Sequence, residues 1–154
     1  MINEYIDLLA LLVAAAALVL SFFNYRKYTE LTSQYNGIAQ TQALSAQGDL
    51  ETQLRNSIFS ANKYNAELLF ELEKNPDSNV LPKALMMAGE NYRNVYEDAC
   101  SKYIDGKVDK KRFKNMYQKE IQKLVEDNPH KEFYASAQSP YTCTISVYNE
   151  WRDF

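Results

Sequence analysis

The sequence predicts an all-α protein with a single N-terminal transmembrane helix, a long helical stalk and a small helical C-terminal domain. Three observations carry that prediction. The run from Leu8 to Phe23, LLALLVAAAALVLSFF, is apolar on every side of a helix. From Arg26 to Asn75 there is no proline, and apolar residues recur at spacings of three and four. Beyond Pro76, two more segments carry the helical spacing, each bounded by its own turn and capping residues. The expected division is an anchor over 1–27, a stalk over 28–75 and a head over 76–154.

The anchor comes first. Leu8 to Tyr25 is a run without charge, and Tyr5 to Tyr25 covers ~30 Å at ~1.5 Å per residue, enough to span a bilayer with a tyrosine at each interface. A cleaved signal peptide needs a basic leader and a small-x-small cleavage site. Here Glu4 and Asp7 make the leader acidic, and the run exits through Phe22, Phe23 and Asn24 into Arg26 and Lys27. Basic residues stay on the cytoplasmic side, so Arg26 and Lys27 act as a topology signal. The expectation is a single pass through a bacterial inner membrane, N-terminus out and residues 26–154 cytosolic.

Within and beyond the anchor, Asp7, Ala10, Ala14, Ala17, Ser21, Asn24, Tyr28 and Leu31 recur at spacings of three and four. Small residues let membrane helices approach closely, and apolar ones continue the seam in water, so this stripe predicts a parallel homo-oligomer. The stalk then shifts its apolar face to Ala43, Ala46, Leu50, Leu54, Ile58, Ala61, Leu68, Leu69 and Leu72. Gly37 and Gly48 each cost up to ~1 kcal/mol in a helix and mark where the rod would kink or fray. Asn75-Pro76-Asp77-Ser78-Asn79 ends it.

In the head, Leu81, Leu85, Ala88, Tyr92, Val95, Ala99 and Tyr103 predict a helix from Leu81 to Ile104 with Pro82 in its first turn. Asp105-Gly106 stops it, and Asp109 caps a third helix over Lys110 to Glu126 with Phe113, Tyr117, Ile121 and Leu124 on its apolar face. The tail reads as a short helix over 130–138 and another after Ser139-Pro140, through Tyr141, Ile145, Tyr148 and Trp151. TCTISVY also has strand composition, but no second strand exists to pair with it. Trp151 is expected to close the head.

The chain holds little chemistry. Cys100 and Cys143 are its only cysteines and His130 its only histidine, so a zinc site or a histidine triad has almost no material, and no cofactor or enzymatic activity is expected. A net charge of -3 with interspersed signs gives no footprint for duplex nucleic acid. Lys107, Lys110, Lys111 and Lys114, with Arg112 among them, form the densest basic cluster, a candidate contact for the phosphates of a nucleotide or a lipid headgroup. The acidic pairs Glu71/Glu73 and Glu97/Asp98 read as solvated surface. Twelve tyrosines suit a small core whose hydroxyls still reach partners.

The head segment NYRNVYEDACSKYIDGKVDKKRFKNMYQKEIQKL, followed by the late aromatic YNEWRDF, resembles small bacterial single-pass membrane proteins of unknown function that carry an N-terminal anchor and a short helical cytosolic domain. Such proteins often occur among phage-defence or mobile-element genes. The resemblance implies a binding or effector role and brings no enzymatic residues with it. The expected function is therefore a membrane-anchored sensor, docking or effector protein. Its head would bind a protein partner or an anionic nucleotide, and its anchors would self-associate among membrane lipids, disturbing the membrane in defence. The alternative is a constitutive subunit that tethers a cytosolic complex to the membrane.

Overall fold

The computed structural model describes residues 2–127 and 130–152, without the side chains of Ile2, Asn3, Glu4, Asp7, Leu8 and Ala10. Five helices follow in order: α1 (Ile2–Lys74), α2 (Leu81–Ile104), α3 (Lys110–Glu126), α4 (Lys131–Ala135) and α5 (Thr142–Arg152). No strand occurs among the described residues, so TCTISVY is helical within α5. The chain divides into two compact units, Met1–Ser45 and Ala46–Phe154.

The first unit is the N-terminal part of α1. Its described large apolar side chains, among them Leu11, Leu12, Val13, Leu18, Leu20 and Phe22, are exposed. No helix among the described residues is long and apolar enough to cross a membrane. The run Leu8 to Tyr25 includes Leu8 and Ala10, whose side chains lie outside the described residues. The helix continues without interruption across Gly37 and Gly48, where an added Cβ would meet nothing within 4 Å.

The second unit takes in more of α1 than the sequence suggested. The head was expected from residue 76, yet Leu54, Ile58 and Ala61 of α1 are buried with it. The reason is periodicity: one apolar residue per turn supplies a stripe, and the aromatic side chains of α3 are long enough to reach it. Glu51 fixes the register by accepting the backbone N–H of Asp109 at 2.9 Å and pairing with Arg112 Nε at 3.1 Å.

Turn chemistry sets each boundary. Pro76 cannot continue α1, and Ser78 Oγ accepts the N–H groups of Val80 and Leu81, both at 3.3 Å, to start α2. At the end of α2, Gly106 adopts φ 68°, with Lys107 N bonded to the Lys102 carbonyl and Gly106 N to that of Tyr103. This double closure of the last turn favours glycine because an L side chain is strained there. Asp109 Oδ1 accepts the Arg112 N–H at 2.7 Å as the cap of α3, and Val108 and Phe113, which flank that cap, are both buried.

The core joins Leu54 and Ile58 to Tyr96, Cys100, Tyr103, Phe113, Tyr117, Ile121, Leu124, Val147 and Trp151. The predicted face of α3 is buried in full. On α5 the burial falls on Thr144, Val147 and Trp151, while Ile145 and Tyr148 are half-buried. Trp151 stands edge-on to Tyr103 at 5.4 Å and packs beside Phe113, closing the core as expected.

Candidate functional site

The tyrosines use both of their ends. Tyr96 is fully buried and donates to Glu120 at 2.9 Å; Tyr103 donates to Glu150 at 2.6 Å and accepts from Trp151 Nε1 at 3.1 Å. Burial and the neighbouring carboxylates raise both hydroxyls above their ordinary range, that of Tyr96 furthest, so they stay protonated donors. Burial likewise pushes the Cys100 thiol up to about 12 and raises that of Cys143. Neither thiol supplies a thiolate near neutral pH. No group of three or more metal-ligating side chains is assembled among the described residues.

Glu97 has a structural task that its sequence setting hid. Its carboxylate accepts the backbone N–H of Cys143 at 2.8 Å and of Thr144 at 2.9 Å, plus the Thr144 hydroxyl at 2.8 Å. A side chain of α2 thus satisfies the first free N–H groups of α5, where negative charge is also favoured by the helix dipole. The reading of Glu97 as plain surface is corrected by these bonds.

The predicted basic cluster does not converge on one point. Lys107 pairs with Asp105 at 2.8 Å, Arg112 turns to Glu51, Lys110 lies 4.9 Å over the ring of Tyr103, and Lys114 lies 5.9 Å over that of Trp151. Lys111 is exposed. Tyr103 and Trp151 thus offer electron-rich faces to Lys110 and Lys114.

In the N-terminal unit, Ala14, Ala17, Ser21, Asn24, Tyr28 and Leu31 of the predicted stripe are exposed, and Asp7 and Ala10 lie outside the described side chains. Arg26 stands 5.9 Å over the ring of Phe22, and Lys27 is exposed.

A cleft of the head that combines apolar walls with a buried charge lies elsewhere. It measures about 490 Å³, and its walls include Leu69 and Leu72 of α1, Leu85 and Met86 of α2, and Phe133 of α4. Arg93 is built into it with only 6% of its surface exposed. The guanidinium lies 3.7 Å over the Phe133 ring, and its Nε donates to the Tyr141 hydroxyl at 3.2 Å. No carboxylate lies within ion-pair distance of it among the described residues. His130 Nδ1 and the Tyr134 hydroxyl, both buried nearby in sequence and charge field, also lack a hydrogen-bond partner.

No protein-family model, curated protein or solved structure matches this chain. Its function is therefore argued from these side chains alone. Sequence reasoning missed Arg93 because the residue directly follows Tyr92 of the apolar stripe and reads as a polar flank. The available signal was Gly89, a glycine inside a helix one turn earlier. A Cβ there would stand 3.4 Å from Arg93 Nη1, an ordinary contact, so the guanidinium lies directly against Gly89.

Proposed function

We propose that this chain is a single-pass membrane protein of the bacterial inner membrane whose cytoplasmic helical head docks a partner, with anchors that self-associate in parallel. The observation that carries this reading is the exposure of large apolar side chains on every side of α1 from Leu9 to Phe23, immediately followed by Arg26 and Lys27. In water such a surface is costly; in hydrocarbon it is the preferred state. An α-helix also satisfies its own backbone there, so this segment needs no covering protein. Arg26 and Lys27 favour the orientation with the head inside.

In this reading the stripe through Ala14, Ala17, Ser21 and Asn24 is the contact between anchors. A partner bound at the head would alter how those anchors pack, which is how a defence effector would disturb the membrane. Lipid provides no hydrophobic drive between helices, so close approach at small residues has to supply the association.

A reporter fused after Phe154 tests the orientation. Cytoplasmic activity is expected, and periplasmic phosphatase activity would refute it. Single cysteines at Ala14 or Ala17 should crosslink to their equivalents in a second copy more readily than cysteines at Leu12. Equal crosslinking at all three would remove the stripe from the account and leave a monomeric membrane tether.

A further inference from the structure

We propose that the cleft around Arg93 binds a small amphipathic monocarboxylate, its carboxylate on the Arg93 guanidinium and its apolar tail along Leu69, Leu72, Leu85 and Phe133. The inference concerns the head alone and stands whether or not α1 enters a membrane.

The argument begins with a buried charge. Taking a guanidinium out of water costs several kcal/mol unless a counter-charge and hydrogen bonds replace the lost hydration. Arg93 has two aromatic faces beside it, Phe133 at 3.7 Å and Tyr141 at 5.8 Å, and one hydrogen bond through Nε. Among the described residues, no acceptor meets its Nη groups. The exposed cations Lys74, Lys107 and Arg112 each meet a carboxylate, with water as a second partner. Arg93 is buried and has no carboxylate partner among the described residues, and it forms part of the cleft lining.

The geometry selects the class of ligand. A planar guanidinium whose Nε is already engaged offers the pair of Nη groups, which suits a carboxylate. The exposed carboxylate of Glu132 shares the lining and opposes a second negative charge on the ligand, so a monoanion is favoured over a phosphate dianion. Apart from Asn65, the remaining wall is apolar, and the volume falls within the range of small-molecule sites, so the rest of the ligand is a hydrocarbon tail. His130, whose buried Nδ1 has no hydrogen-bond partner, is a second polar residue of the lining.

The test uses the full chain in nonionic detergent, with heats from protein-free micelles subtracted. Octanoate, octanol and acetate are titrated separately. Octanoate is expected to bind at least ten-fold more tightly than octanol or acetate, since only octanoate has both the charge and the tail. Arg93→Met should weaken octanoate at least ten-fold, with circular dichroism confirming an intact fold. Met86→Glu offers a variant that does not touch the core, because Met86 is 64% exposed at the cleft. It should weaken octanoate several-fold by adding a negative charge and leave octanol unchanged. If octanol binds as well as octanoate, or if Met86→Glu has no effect on octanoate, the site is not a carboxylate site.

Discussion

One continuous helix holds two stretches that treat their apolar residues in opposite ways. In the part of α1 that belongs to Met1–Ser45, the described leucine, valine and phenylalanine side chains are exposed on every side. In the part from Ala46 onward, Leu54, Ile58 and Ala61 are buried along one stripe, while Phe59 and Phe70 on other sides stay exposed with the polar residues. The difference is periodicity. An apolar stripe one residue per turn wide can be covered by aromatic side chains of another helix, whereas a helix apolar on all sides can be satisfied only by an apolar surrounding.

The same kind of substitution should therefore break different properties in the two stretches. Leu12→Asp with Val19→Asp places two carboxylates in the exposed apolar run, at ~2.5 to 3.5 kcal/mol each at a membrane-helix centre. Nearly complete loss from the alkali-washed membrane fraction is expected, with thermal unfolding of the head unchanged. Ile58→Asp, at a position 4% exposed, should do the reverse. Burying an unpaired carboxylate costs the head ~3 kcal/mol or more while membrane association stays intact. If the double variant remains in the membrane fraction, the apolar run is not the attachment and the contrast fails.

Much of the head could be read in the sequence because its local signals agree with its packing. Pro82, Gly106 and Asp109 mark boundaries by backbone geometry, and Phe113, Tyr117, Ile121 and Leu124 announce a face that the structure buries. What could not be read are pairings between residues distant along the chain. Glu97 meets Thr144 and Arg93 meets Tyr141 only because α2 and the α5 region pack together. No local pattern at Glu97-Asp98 distinguishes a carboxylate capping a remote helix from one in solvent. Leu54 and Ile58 were legible as a stripe, but what covers it was not, since a spacing names a face and not its neighbour.

The Glu97 contact gives a smaller, sharper test of how the head differs from the N-terminal stretch. Glu97→Ala removes the acceptor for two backbone N–H groups and one hydroxyl at the start of α5. A loss of about 1–3 kcal/mol is expected from the denaturation midpoint, because N–H groups that lose a cap are left unsatisfied in a part-buried place. Glu97→Gln should lose less, since the amide oxygen still accepts. Membrane fractionation should not change for either. Equal stability of the alanine variant would mean that water replaces the carboxylate at no cost.

The smallest expected effect is a pH dependence confined to the head, which holds the only histidine. Burial first, and the Arg93 charge second, lower the pKa of His130 below its ordinary 6.5. The groups around it are Arg93 and Glu132 of the same cleft and the ring of Tyr92 at 5.8 Å. With the folded pKa depressed, the unfolded chain takes up a proton near pH 6.5 that the folded head still refuses. The stabilisation is thus complete above 6.5, declines as pH falls below it, and stops changing once the folded form is protonated too. Subtracting the melting curve of His130→Gln isolates this contribution from the carboxylates, which titrate at lower pH in both proteins. The wild-type head should lose more stability than the variant between pH 7 and pH 5, by an amount that shrinks when Arg93→Met removes the repelling charge. A difference curve flat across that interval would show that His130 is solvated in the folded head, and the unpartnered Nδ1 would then be no part of the cleft.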